Sequence, residues 1–186
     1  MACAEDLVSF LATCLADQSV GGLNKRMWAL EKDKLTLTLD SVTGEVDSVT
    51  IATTSPATLL KTFTGKQFTH NGALTGEVNT NVNTIKQDLN MVLNYFSQEQ
   101  RAAIDALFKS DECIFFVETN AEQVECWGYE YGLKASALTG ATGTALADSR
   151  AVTVTMTGSQ KTMPKVVNLG ADLAATIAAL NTLAGI

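Results

Sequence analysis

The chain has 186 residues, with 20 acidic against 13 basic side chains and a formal net charge of −7. No run of Lys or Arg accompanies that balance, which excludes a surface built to grip phosphates, although nucleic acid can pass beside an acidic surface without adhering. The length suits one domain with a sizeable core over residues 1–186, two prolines leave little room for a linker, and no internal repeat is evident.

Residues 4–15 pattern as a short helix, with Leu7, Leu11, Cys14 and Leu15 on one side and Glu5 and Asp6 in the first turn, where the helix dipole favours them. The same acidic pair, with no basic segment before it, argues against a secretory signal. Residues 170–186 are too short and alanine-rich for a membrane span and contain Asp172 and Asn181, so the expected setting is the cytoplasm with no membrane partner. From Lys25 the period changes to two. Residues 27–30, then Leu35, Leu37 and Leu39 alternating with Thr36 and Thr38, then Val46, Val49 and Ile51 beyond a turn at 40–44, predict two or three short strands.

Residues 58–95 carry Thr, Asn, Val and Leu without a helical stripe and predict a long antiparallel hairpin arm. Its strands fall near 58–69 and 76–95, and it turns at His70-Asn71-Gly72, where Asn-Gly suits a tight turn. Along the returning strand Glu77, Asn79, Asn81 and Asn83 share a face that continues as Ile85, Leu89, Met91, Leu93 and Tyr95, broken only by Gln87. A strand whose distal half is polar outruns its own core. It is either a solvated arm or a pairing surface, and an unpaired edge of that length is an aggregation hazard for a monomer. Asn79, Asn81 and Asn83 are therefore candidate interface residues.

Ser97 followed by Gln100 is a capping box and predicts a helix over 98–109, with Ala103, Ile104, Leu107 and Phe108 at helical spacing. Residues 113–118 and 123–131, joined by a turn at 119–122, predict a β-hairpin with large apolar groups on both faces. Cys113, Phe115 and Val117 point one way, Ile114 and Phe116 the other, and Trp127, Tyr129 and Tyr131 share a face of the second strand. A strand pair apolar on both sides needs two covers; the helix is expected to supply part and another subunit more. The three aromatics have the shape to stack on nucleic-acid bases, but no basic residue is interleaved with them, which favours packing in a core or interface, and they are candidate core or interface residues.

A strand is expected over 132–138, a small-residue loop over 139–148, and an alternating strand over 151–157 with Val152, Val154 and Met156 inward. Pro164 ends the sheet region or marks an edge, and residues 171–183 form a closing helix with Leu173, Ile177, Leu180 and Leu183 in a stripe and Gly185 as its stop.

The four cysteines, at 3, 14, 113 and 126, have no CxxC spacing, and the single His70 cannot complete a zinc set. A disulfide between Cys113 and Cys126 across the hairpin is geometrically conceivable, while a reducing compartment favours buried free thiols. His70 reads as a turn residue rather than a base. Gly65-Lys66 lacks the earlier glycine and the hydroxyl residue of a phosphate loop, and Gly140-Ala141-Thr142-Gly143 follows no strand-to-helix pattern. With no catalytic, cofactor-binding or metal-binding constellation to name, the expectation is a structural protein and not an enzyme.

The order of parts carries a resemblance. Early short strands are followed by a Thr/Asn-rich hairpin, one helix, the residues 116–120 leading into 124–134, a Thr-rich loop and the strand 151–158. This layout resembles tail tube (major tail) proteins of long-tailed bacteriophages and, more loosely, the tube proteins of contractile injection machines. Gly21-Gly22-Leu23 before residues 27–30, with Thr43-Gly44-Glu45-Val46, is similar to structural proteins of phages and prophages of Bacteroides-like gut bacteria. The resemblance implies an α+β chain, mainly β: an antiparallel β-sandwich or partly closed barrel with one packed helix, the long hairpin arm and short terminal helices. It also implies six copies joined into rings, rings stacked into a tube beside other tail proteins, DNA passing through the lumen without specific binding, and a place in the virion after assembly in the bacterial cytoplasm. The competing readings are another virion component, such as a neck, terminator or decoration protein, a monomeric β-barrel binding a small apolar ligand against the aromatic hairpin, and, least favoured because no base, nucleophile or metal ligands can be named, an enzyme of unrecognised type.

Overall fold

In the computed structural model the described residues are 23–52, 58–65, 69–78, 80, 82–94, 97–141 and 151–186. The helix expected at 4–15, Asn79, Asn81, Tyr95 and most of the loop expected at 139–148 lie outside them. The chain is mainly β with two helices, an α+β arrangement of antiparallel sheets. The strands are β1 (Leu23–Glu31), β2 (Leu35–Leu39), β3 (Val46–Ile51), β4 (Lys61–Thr64), β5 (Asn71–Glu77), β6 (Thr84–Asn94), β7 (Cys113–Thr119), β8 (Val124–Trp127), β9 (Lys134–Ala141), β10 (Ala151–Gln160) and β11 (Lys165–Val166), and the helices are α1 (Gln98–Lys109) and α2 (Leu173–Ala184). They form a five-stranded sheet, β11-β8-β7-β1-β4, a four-stranded sheet, β5-β6-β10-β9, and the pair β2-β3, none of which closes on itself.

Both helices end where their capping residues dictate. Ser97 Oγ accepts from the Gln100 amide at 3.2 Å and Gln100 Oε1 accepts from the Ser97 amide at 3.1 Å, so two orphan donors at the start of α1 are satisfied reciprocally. Ile104 and Leu107 turn into the core, whereas Phe108, expected beside them, is 42 % exposed. In α2 Asp172 Oδ1 caps the Ala175 amide at 2.8 Å, and Gly185 at φ 74° takes the left-handed turn that closes the helix.

Strand β7 is the organising element. Its period of two sends Cys113, Phe115 and Val117 into a cluster with Met27 and Ala29 of β1, Leu89 and Met91 of β6, Val154 and Met156 of β10, and Ile104 and Leu107 of α1. Ile114 and Phe116 enter a second cluster with Trp28, Leu30, Val46 and Leu180, flanked by leucines of β2 and α2. Both covers therefore come from the chain itself, and the expectation that a second subunit covers this hairpin is corrected: every residue of β7 is buried within one copy.

The hairpin arm is corrected as well. β4 pairs with β1, and β5 pairs with β6 from Asn71 opposite Asn90 to Glu77 opposite Thr84, so the connection lies between Glu77 and Thr84 and not at His70-Asn71-Gly72. Gly72 does not take a positive φ. Its missing side chain serves packing, since a Cβ there would lie 2.3 Å from Cη2 of Trp127. His70 is 3 % exposed and its Nδ1 accepts from the Val92 amide at 3.1 Å, which ties it to β6 instead of leaving it at a tip. Glu77 ends β5 and Asn83 precedes β6, so the two do not share a returning strand.

Leu89, Met91 and Leu93 face inward as expected. Gln87 is buried with them, and its amide is satisfied: Oε1 accepts from the Gly128 amide at 3.0 Å and Nε2 donates to the Thr162 carbonyl at 3.1 Å. In β10 Val152, Val154 and Met156 are buried, and the strand runs on to Gln160. The strand expected at 132–138 begins at Lys134 and continues to Ala141, taking residues 139–141 from the expected loop. β11, next to Pro164, is an edge of the five-stranded sheet.

Candidate assembly interface

In the four-stranded sheet β6 and β10 are central, and their inward side chains fill the first cluster. β5 and β9 are its edges, and among the described residues neither has a strand on its outer side. Asn71 to Gly76 of β5 and Ser136 to Gly140 of β9 are all exposed.

The two edges carry the same tetrapeptide, Ala73-Leu74-Thr75-Gly76 and Ala137-Leu138-Thr139-Gly140. They also present it in the same phase. Leu74 stands opposite Gln87 and Leu138 opposite Val154, both inward residues, so each leucine points to the core side of the sheet. They are nevertheless 40 % and 41 % exposed. Ala73 and Thr75 stand opposite Asp88 and Lys86, and Ala137 and Thr139 opposite Thr155 and Thr153, which turns all four outward.

Three successive antiparallel pairings make β5 and β9 antiparallel to each other. When two copies lie side by side in one orientation, β9 of the first thus meets β5 of the second in antiparallel sense, with their leucines on one side. Each edge strand carries a single charge, at one end, Glu77 of β5 and Lys134 of β9, and neither contains a proline; the stretches 71–76 and 135–141 are free of the groups by which edge strands ordinarily block such pairing.

The outward face of this sheet is polar. Thr155 Oγ1 donates to Asn90 Oδ1 at 2.7 Å, Thr157 Oγ1 bonds the Asp88 carboxylate, and Lys86 Nζ lies 3.0 Å from Asp88 Oδ2. Partial burial pushes the Asp88 carboxyl up, but the bonds from Thr157 and Lys86 outweigh it and hold the group below the usual carboxylate range. Thr84 and Ser159 both donate to Glu77 Oε2 at 3.1 Å.

The aromatic residues separate. β8 ends at Trp127 because Gly128, at φ 78°, turns the chain, so Trp127, Tyr129 and Tyr131 do not share a face. Trp127 is 4 % exposed in the first cluster, and its Nε1 donates to Glu125 Oε2 at 3.0 Å. Burial pushes the Glu125 carboxyl above its ordinary range, and this bond opposes the shift. Tyr129 packs against the second cluster. Tyr131 keeps 47 % of its surface exposed, with Lys161 Nζ 5.7 Å from its ring centroid. Asn83 is exposed; Asn79 and Asn81 lie outside the described residues.

Cys113 and Cys126 are free and belong to different clusters, and Cys126 stands opposite Phe116 in the hairpin, so the conceivable disulfide does not form. Burial pushes both thiols up, away from the reactive thiolate. Among the described residues no three His, Cys, Asp or Glu side chains converge on a metal position, and no helix is long and apolar enough to cross a membrane. An open groove of about 820 Å³ lies between β4 and α1.

Sequence reasoning passed over Leu74 and Leu138. The repeated Ala-Leu-Thr-Gly is a visible signal, but four residues acquire meaning only once both copies fall on opposite edges of one sheet. Comparison with known proteins finds no match, neither to a protein-family model nor to a curated protein nor to a solved structure.

Proposed function

We propose that the chain is a structural subunit of a phage tail tube, a β-sandwich whose five- and four-stranded sheets face each other across the first cluster. Copies join side by side through β9 of one and β5 of the next. The observation that carries this reading is the pair of open, antiparallel edges bearing Ala-Leu-Thr-Gly in one phase. Because the two edges are different surfaces, the contact is heterologous. A heterologous contact closes into a ring when its rotation allows and otherwise continues as a filament.

Sheet twist supplies such a rotation at every junction. Joined sheets then turn one face inward around a lumen, and the polar outward face with its Thr and Asn ladder suits contact with water and passing DNA. A chain of net charge −7 repels the phosphate backbone, so DNA moves through without adhering. Six copies per ring, stacking of rings and contact with other tail proteins at the tube ends follow from the resemblance to tail tube proteins.

Sedimentation velocity and negative-stain electron microscopy of the full chain across a concentration series test the proposal. Rings that stack into tubes are expected. A monomer at every concentration contradicts it, and closed rings that never stack assign a neck or terminator role instead.

A further inference from the structure

We propose that the open pocket between the turn 128–132 and the start of β2 binds a small amphipathic anion, one carboxylate carried on a flat apolar body. All of its lining comes from one copy, so the site does not depend on whether copies form rings.

The turn is held more firmly than a surface turn requires. Gln87 and Gln160 are each 1 % exposed, and both direct their amides at it. Besides the bond from the Gly128 amide to Gln87, Gln160 Oε1 accepts from the Glu130 and Tyr131 amides, both at 3.0 Å, and its Nε2 donates to the Gly132 carbonyl at 2.8 Å. The Glu130 carboxylate is fixed in its turn, accepting from the Lys161 amide at 2.6 Å and the Thr162 hydroxyl at 2.9 Å. A buried polar network satisfied in this way rigidifies the backbone it holds. What it positions here is Tyr129, packed toward the second cluster, and Tyr131, which faces solvent. An aromatic pair ordered beforehand lowers the entropic cost of binding.

The facing wall is remote in sequence. The short 3-10 turn Lys32–Lys34 leads into β2, and the Lys32 amide donates to the Glu112 carbonyl at 2.8 Å. Lys32, Leu35 and Leu37 then line, with the two tyrosines, a pocket of about 450 Å³, the size of small-molecule sites. Its depth is apolar, with Ile114 buried and both leucines half-buried, whereas Lys161 and Tyr131 are exposed and form its rim.

Charge selects an anion. Two lysines and one carboxylate line the pocket, so it is net positive in a chain of net charge −7. The carboxylate of Glu130 is already engaged by residues 161 and 162, and among the described residues Lys32 enters no ion pair. Lys161 Nζ lies 5.7 Å from the Tyr131 ring centroid, at the edge of the apolar surface. Two ammonium groups on flexible stems can meet one carboxylate, while its flat body covers the tyrosines and leucines. A neutral ligand leaves both cations without a partner, and inorganic phosphate leaves the apolar depth uncovered.

Equilibrium dialysis of the full chain tests this with naphthoate, its neutral counterpart naphthylmethanol, and inorganic phosphate. One saturable naphthoate site per chain with Kd below about 1 mM is expected, and the alcohol and phosphate should each bind at least about tenfold more weakly. Lys32→Gln and Lys161→Gln should each weaken naphthoate binding, and the double variant should hold the acid no better than the alcohol. That variant should melt like the parent, because Lys161→Gln keeps the backbone bond to Glu130 and Lys32 has no ion pair to lose. Lys109→Gln, which removes a cation from the exposed side of α1, should bind naphthoate as the parent does. No saturable binding, equal affinity for acid and alcohol, or a double variant that binds like the parent overturns the site. So does an equal loss in Lys109→Gln, which assigns the attraction to net charge alone.

Discussion

Adding one methyl group at Gly72 tests how β5 is held on the sheet. A Cβ at this position lies 2.3 Å from Cη2 and 2.6 Å from Cζ2 of Trp127, where carbon atoms in contact prefer about 3.5 to 4.0 Å. The indole must therefore retreat by more than about 1 Å, yet it is 4 % exposed in the first cluster and its Nε1 is tied to Glu125. Overpacking of this kind costs about 1 to 3 kcal/mol, whereas Gly→Ala in an unobstructed strand gains about 0.5 to 1 kcal/mol. The clash wins, and Gly72→Ala should destabilise the chain by about 1 to 2 kcal/mol in urea unfolding with an unchanged slope. Trp127→Phe removes the ring carbons that clash. In that background Gly72→Ala should become neutral within about 0.5 kcal/mol or stabilising, a coupling that a double-mutant cycle reads directly. A neutral or stabilising Gly72→Ala in the parent, or equal effects in both backgrounds, refutes the packing of Gly72 on Trp127.

Three further outcomes are expected. Phe115→Ala, at a fully buried position, should cost about 3 to 5 kcal/mol and lower the melting temperature by roughly 10 °C, and a shift of only a degree or two contradicts its place in the core. Burial lowers the pKa of His70 below its ordinary value, so the unfolded chain binds this proton more readily than the folded one. Its effect on stability is flat above about pH 7 and turns destabilising as pH falls through about 6.5, where an exposed histidine titrates. His70→Asn, which keeps an acceptor for the Val92 amide, should lose that part of the acid dependence of the urea midpoint, and an identical pH profile in parent and variant rejects the assignment. Cys113 and Cys126 should resist iodoacetamide at pH 8 in the native protein and react in urea, and rapid native labelling of Cys126 contradicts its burial.

Much of the local structure was legible because it rests on nearest neighbours. The Ser97 and Gln100 cap, a closing helix near 171–183 stopped by Gly185, and the alternation of β7 into two faces follow from local residue types and spacing; the cap at Asp172, which starts the helix at Leu173, was not among them. Strand partners did not follow, because pairing is a long-range choice: β4 joins β1 across more than 30 residues, and the Asn71-Gly72 signal for a turn is overridden by the need to fit Trp127 over β5. The aromatic run 127–131 has the alternation of one strand, and the positive φ at Gly128 leaves no mark on that hydrophobic pattern. The two covers of β7 were legible as a need but not as a source; α2 and the β2-β3 pair, remote in sequence, supply one of them. For the interface, exposure of Leu74 and Leu138 depends on which strands lie at the edges, a property of topology that neither tetrapeptide carries by itself.

The edge-to-edge claim is tested most directly by blocking each edge separately. Leu138→Lys places a charge on β9 and leaves β5 open, and Leu74→Lys does the reverse. Burying the exposed two-fifths of both leucines contributes about 2 kcal/mol to a junction, or roughly 30-fold in association, and a lysine both removes its share and adds a charge to be desolvated. In sedimentation velocity each variant alone should stay monomeric at concentrations where the parent assembles, and an equimolar mixture should form a dimer and nothing larger, through the open β9 of the Leu74→Lys copy and the open β5 of the Leu138→Lys copy. Variants that assemble like the parent, or a mixture that stays monomeric while the parent forms rings, contradict it.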